Sequence, residues 1–188
     1  MNQPAHADRA HALLSASKAA QWIACPPSAR LQEGIPDQRS EYAEEGTAAH
    51  ELAELKIRNQ ILEEIGIGPI DGFRDSNPHY SAEMEEAVQW YVDVVAERYN
   101  EALSRSSDAI FLLEERLDFS YLVPNGFGTG DVVLIADGIL EIIDLKYGKG
   151  VPVSAVDNPQ MRLYALGALD GFGWMYDIRE VRMTIVQP

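Results

Sequence analysis

Asp131, Asp144 and Lys146 are the residues whose types and spacing could do chemistry together. They lie in Gly128-Thr-Gly-Asp131 and Asp144-Leu-Lys146. Partly buried anionic oxygens suit Mg²⁺ or Mn²⁺, which keep waters available for reaction. A metal held between two carboxylates can polarise a phosphate, lower the pKa of a bound water and stabilise a leaving oxyanion. An ammonium beside it can orient the attacking water and offset negative charge in the transition state. Phosphodiester hydrolysis uses all of these parts. The plain competitor is an ordinary Asp–Lys ion pair at a strand end, because Asp-x-Lys alone is a very common tripeptide.

The segments that must position these charges are two apolar, β-rich runs flanking Asp137-Gly138, a dipeptide suited to a two-residue hairpin turn. In that hairpin Asp131 opens the first strand, and Asp144 and Lys146 close the second. Antiparallel pairing brings the three to one end, and Asp144 and Lys146, two apart, share a face. Charges at the edge of so apolar a ribbon are costly unless they bind something.

Three further features converge on the hairpin. Gly128 and Gly130 permit close approach of backbone or ligand. Gln160 and Tyr164 are four apart and project from one face of the next helix. Glu45-Gly-Thr-Ala-Ala-His50 puts a histidine on an early helix, one turn before Glu54 and outside the His-Glu-x-x-His setting of a zinc protease. Singly, His50 reads as a surface or core histidine, and Gln160 and Tyr164 as packing. Tyr147-Gly-Lys149-Gly150 is too short for a nucleotide-binding loop. It reads equally as a basic glycine loop on a DNA backbone and as a plain turn. Trp22, Trp90 and Trp174 are too scattered for a stacking platform and read as core.

Along the chain, residues 1–14 read as a flexible terminus and 15–188 as a single domain. Ser15 or Ser17 caps a short helix with Leu14, Ala19, Ala20, Trp22 and Ile23 as its apolar members, stopped at Cys25-Pro26-Pro27. Residues 32–40 and 66–78 read as loops. A helix runs from Tyr42 or Thr47 to Glu64, with Ala48, Leu52, Leu55, Ile57 and Leu62 inward. Ser81 caps the clearest helix, whose stripe is Met84, Val88, Tyr91, Val95 and Tyr99. Strand texture begins at Ala109; 121–127 is a loop, then comes the hairpin. A helix from Pro159 to Leu169 and a strand over 181–186 follow. The order α-α-α-β-β-β-α-β predicts an α/β fold with a central mixed β-sheet flanked by helices. Its last strand is parallel to 140–146 through a right-handed crossover. Ending at Pro188, just after a strand, is expected of a fragment or of a short family member.

With 188 residues, 46% of them hydrophobic, the chain can bury a substantial core. No apolar run approaches the ~20 residues of a membrane span, and the N-terminus lacks a secretory layout, so a soluble cytoplasmic protein is expected. The net charge of -15 argues against a broad basic surface for nucleic acid, though not against a local patch or a metal. Residues 33–64 carry nine acids against three bases. The acid load is therefore expected on helices, away from the hairpin.

Taken together, His50, Gly128-Thr-Gly-Asp131, Asp144-Leu-Lys146 and Gln160-Met-Arg-Leu-Tyr164 resemble, in order, the motifs of the PD-(D/E)XK nuclease superfamily in its RecB-like branch. More closely, Ser15-Ala-Ser17, Trp22-Ile-Ala-Cys-Pro26, the stretches ending at His50 and Gly150, and Asn158-Pro-Gln160 resemble a phage- and prophage-encoded family of uncharacterised proteins. The resemblance implies a restriction-endonuclease-like core and a Mg²⁺- or Mn²⁺-dependent deoxyribonuclease, an exonuclease of phage replication or recombination in a bacterial host cell. His50, Asp131, Asp144 and the backbone carbonyl of Leu145 would ligate the metal. Lys146 would act on the water and the scissile phosphate, and Gln160 and Tyr164 would position DNA or the catalytic groups. Glu114 or Glu115, ending the first core strand, would assist. The implied partners are DNA and phage single-strand-binding or recombination proteins, with no membrane. Some relatives clamp an iron–sulfur cluster with four cysteines; Cys25 stands alone, so no cluster is expected. Relatives in the phage family are longer, so part of the DNA-binding surface is expected to be missing. Two other readings use the same residues: a catalytically silent nucleic-acid or replisome interaction module, and an unrelated metal-binding hydrolase of small phosphoesters.

Overall fold

In the hairpin at the centre of the fold, Asp137 and Gly138 both take positive φ, 50° and 74°, as a type I′ turn requires. A Cβ at Gly138 would also lie 2.8 Å from the Asp177 carbonyl, so glycine is required there twice over. This is a computed structural model, and it describes residues 12–32, 40–63, 70–148 and 150–188. The hairpin joins β2 (Phe127–Ala136) to β3 (Ile139–Leu145) within one sheet of order β1-β2-β3-β4. β1 (Ile110–Asp118) pairs antiparallel with β2, and β4 (Glu180–Val186) pairs parallel with β3.

Among the described residues, six α-helices surround the sheet. α1 (Ala19–Ala24), α2 (Pro27–Gln32), α3 (Glu41–Gln60), α4 (Ile70–Ser76) and α5 (Ala82–Arg105) precede β1. α6 (Pro159–Phe172) is the crossover from β3 to β4. Ser40 and Ser81 cap α3 and α5, each accepting from the backbone N–H three residues on. Asn158 caps α6 by accepting from Gln160 N and Met161 N, and Pro159 follows where its missing N–H costs nothing. α3 and α5 bury Leu52, Ile57, Val88, Tyr91 and Val95 against Val132, Leu134, Ile143 and Leu145. α6 buries Met161, Leu163 and Ala168 against Val133, Ile135, Leu140 and Ile142 on the other face. A sheet covered on both faces explains why β2 and β3 read as continuous apolar runs rather than alternating ones.

The α/β architecture with a mixed, helix-flanked sheet is as expected, and several local expectations are corrected. Among the described residues, five α-helices, not three, precede β1. α2 begins at Pro27 itself, because a proline is tolerated in a first turn. Residues 70–76, expected as loop, form α4, where Arg74 bridges Asp71 and Glu85 at 2.9 Å and Phe73 meets Tyr80 edge-on. Ala20 and Ile23 are exposed on α1. Trp90 on α5 and Trp174 in the turn after α6 are exposed rather than core, since a surface that meets no neighbouring element leaves even a large ring in water. β2 starts at Phe127, so Asp131 lies within the strand rather than opening it. Glu114 and Glu115 lie in the middle of β1. The expectations for the terminus over 1–11, for Glu64, for Lys149 and for most of the 32–40 loop lie outside the described residues.

Candidate active site

The β1–β2 ladder runs regularly through Leu113–Val132 and again from Glu115–Gly130, but it skips the pair Glu114–Asp131. Glu114 has φ of 53°. A non-glycine residue in that region stores on the order of 1–3 kcal/mol of strain. The break also reverses the alternation of β1. Leu113 packs in the α3/α5 layer and Leu117 in the α6 layer, although residues four apart in a regular strand share a face. The distortion buries the Glu114 and Asp131 carboxylates beneath α3, which delivers His50. One ligand atom from each of His50, Glu114 and Asp131 lies within 4.8 Å of the others.

Each charge is held by a specific partner. His50 Nδ1 is 3.3 Å from Asp131 Oδ1, and Asp131 Oδ2 accepts from the Leu145 N–H at 2.7 Å. The Leu145 backbone, expected to serve through its carbonyl, thus engages the site through its amide. Asp144 is 1% exposed; its Oδ2 pairs with Lys146 Nζ and its Oδ1 accepts from Gln160 Nε2 at 3.2 Å. Gln160 Nε2 also donates to Tyr164 Oη at 3.1 Å, so both of its N–H bonds are used. Lys146 follows the end of β3 and is anchored by its own N–H to the Val186 carbonyl at 2.9 Å.

These contacts separate the protonation behaviour of the groups. Burial pulls the His50 imidazole down, but Asp131 beside it, with Glu114 and Asp144, outweighs burial and lifts it to about 9. Burial pushes Asp131 up, yet His50, Lys146 and the Leu145 amide together hold it below the usual carboxylate value. Asp144 is raised to about 6, by burial first and then by the charge of Asp131, with Lys146 opposing. Two neighbouring carboxylates driven apart in this way suit different roles. Burial and the same two carboxylates raise Tyr164, so it stays a neutral phenol.

The side chains open into a cavity of about 210 Å³ that is also lined by Ser15, Ser17, Gly128 and Thr129. Every residue singled out from sequence reaches this neighbourhood except Glu115, a half-buried residue that burial alone raises. Glu114 resolves the open choice between the two acids. The expectation that the acidic helices lie away from the hairpin is corrected, because α3, which carries five glutamates, is the element that supplies His50. Sequence reasoning assigned no role to Thr129 and gave Ser15 only a capping one. Tyr91 was expected only as core; its buried hydroxyl has no hydrogen-bond partner among the described residues, and its proton is held more tightly by burial and by Asp131, Asp144 and Glu114. The signal for Thr129 was its place two residues before Asp131.

The donor set fits a hard divalent cation: two carboxylates and an imidazole with closely spaced ligand atoms, in a pocket negative enough to lift a buried histidine well above its ordinary pKa. Among the described residues, no helix is long and apolar enough to cross a membrane. A family model described as a protein of unknown function, DUF2800, matches residues 11–188, and the chain belongs to that family. No solved structure matches the chain.

Proposed function

We propose that this member of the family is a metal-dependent deoxyribonuclease that hydrolyses phosphodiester bonds. The observation that carries the reading is that His50, Asp131, Asp144, Lys146 and Gln160 line one cavity, with Glu114 buried beside His50 and Asp131. The order of these motifs also resembles that of RecB-like PD-(D/E)XK nucleases, with a restriction-endonuclease-like core. From that resemblance come the exonuclease assignment, the place in phage recombination and the single-strand-binding or recombination partners. A silent interaction module would have no use for the cost concentrated here: two adjacent buried carboxylates, a strained glutamate and a lysine turned onto one of them.

His50, Glu114 and Asp131 would hold Mg²⁺ or Mn²⁺, with Asp144 at its border. Bound there, the ion supplies Lewis-acid polarisation of the phosphate and a water of lowered pKa. Asp144, ionised above about pH 6, receives the proton of the attacking water. Lys146, paired with Asp144, passes between that carboxylate and the phosphate oxygen that gains charge. Gln160 fixes the rotamer of Asp144 through Oδ1 and leaves Oδ2 directed at Lys146. Tyr164, neutral at working pH, closes the polar chain against α6.

Digestion of linear, circular and single-stranded DNA with Mg²⁺, Mn²⁺ or EDTA tests the reading. Wild type should cut in either metal and not in EDTA, and Asp144→Ala and Lys146→Ala should each lose at least about 100-fold. Intact substrates with Mn²⁺ and wild type sink it. Undiminished activity of Lys146→Ala sinks the mechanism even if cleavage is seen.

A further inference from the structure

We propose that Ser15, Ser17 and Thr129 form a neutral subsite for a phosphate oxygen of the strand, next to the phosphodiester that is cut. This rests on the nuclease reading and adds a substrate contact to it. Ser15 stands at the N-cap position of the 3₁₀ turn Ala16–Lys18, yet its side chain makes no capping hydrogen bond. This corrects the capping role expected from sequence. Ser15 is instead buried, at 6% exposure, and lines the cavity, and its hydroxyl lies 3.2 Å from Ser17 Oγ. One hydrogen is used between the two hydroxyls, so the pair retains one to donate into the cavity. Thr129, from β2, lines the same space.

The turn is held in place before any ligand arrives. Trp22 Nε1 donates to the Ser15 carbonyl at 2.9 Å. Ala16 is fully buried and packs against the start of β2 at Gly128, where a Cβ would lie 3.3 Å from Ala16 Cβ and 2.6 Å from the Tyr164 ring. The missing side chain at Gly128 is what lets the serine turn, β2 and α6 close around one cavity. An ordinary surface turn would not need three elements to fix two hydroxyls at the rim of a charged centre.

Electrostatics says what those hydroxyls are for. The lysine lining the cavity is already paired with Asp144, and the whole chain carries a net charge of -15. A phosphate beside the centre is therefore received by uncharged donors, a role that serine and threonine hydroxyls commonly play on nucleic-acid backbones. Such recognition releases few counterions. Each neutralised phosphate contributes a slope of about −0.7 to log K against log salt for a single strand, so the total slope should be near one such unit.

The test uses Ser17→Ala, Thr129→Val and the double variant, with Ser15→Ala as a second probe of the turn. A short fluorescein-labelled single-stranded oligonucleotide is titrated in Ca²⁺ by anisotropy, and its cleavage is followed in Mn²⁺. Mn²⁺ affinity is measured separately by calorimetry. Each single change should raise Kd and KM about tenfold, the loss of one hydrogen bond to a charged oxygen. kcat, Mn²⁺ affinity, melting temperature and the salt slope should stay at wild-type values. KM of the double variant within twofold of wild type overturns the subsite while leaving the nuclease reading standing. Weakened Mn²⁺ binding in these variants also overturns it, by giving the hydroxyls to the metal. If wild type neither binds nor cuts the oligonucleotide, both proposals fall together.

Discussion

The sharpest quantitative consequence of the site concerns His50 in metal-free protein. Its imidazole is lifted from 6.5 to about 9, facing Asp131 and Glu114 with Asp144 and Lys146 beyond. A folded-state pKa above the unfolded value means that the folded protein binds the proton more tightly. The resulting stability is complete below about pH 6.5 and is lost as pH rises through about 9. At 1.36 kcal/mol per pKa unit the shift corresponds to roughly 3 kcal/mol. For a chain of this size that is about 6–12 °C in melting temperature. Asp144 titrates lower, near 6, so its contribution is mostly spent before this window opens.

The assay is thermal unfolding in EDTA from pH 6 to 9.5, for wild type and His50→Gln. The variant should melt about 6–12 °C below wild type at pH 6 and converge with it above pH 9. Excess Mn²⁺ should invert the slope for wild type, because a ligating imidazole must first release its proton; at 100 times Kd the ion adds about 2.7 kcal/mol. Parallel curves for the two proteins in EDTA would refute the reasoning, since they would mean that His50 carries no proton the carboxylates hold.

Other perturbations separate the parts of the site. Gly128→Ala should cost about 1–3 kcal/mol and most of the activity, because its Cβ lands 2.6 Å from the buried Tyr164 ring; denaturant melts and a cleavage assay check both, and a fully active variant contradicts it. Gln160→Ala removes a donor from ionised Asp144, so the acidic limb of the pH–rate profile should move to higher pH with kcat down about 10-fold or more. Lys56, 3% exposed and held by Glu85 at 2.5 Å and Gln89 at 2.6 Å between α3 and α5, belongs to the scaffold. Lys56→Ala should cost about 1.5–3 kcal/mol in urea melts, since Glu85 keeps Arg74, while the folded fraction keeps wild-type kcat.

What was legible in the sequence was what obeys local rules. The Asp137-Gly138 turn, the stripe on α5 and the parallel return of β4 follow from dipeptide chemistry and periodicity, and all three are present. What escaped depends on partners distant in sequence. The hairpin's first strand is expected to open at Asp131, yet β1 residues 115–118 pair with 127–130 and carry β2 back to Phe127. The choice between Glu114 and Glu115 stays open in the sequence because reading a strand face from alternation assumes a regular strand, and Glu114 is where β1 stops being one. Trp90 and Trp174 misled because hydrophobicity reports a preference for burial, and burial needs a neighbour to supply it.

Glu141 and Asp144 show how a structural acid differs from a poised one. Both are buried on β3, three residues apart, at 5% and 1% exposure. Glu141 accepts from Thr184 Oγ1 at 2.8 Å and lies 3.8 Å from Arg98 Nε. Asp144 shares its surroundings with Asp131 and is raised to about 6 despite a lysine on one oxygen and a glutamine on the other. At Asp144 the like charge across the hairpin adds to burial, and the fold reinforces it by breaking the ladder at Glu114 so that a further carboxylate lies beside Asp131. A chain selected only for stability would separate these groups. Keeping them together, with a proton on His50 to balance them, is the arrangement expected of the proposed metal centre, where a divalent ion would take the place of that proton.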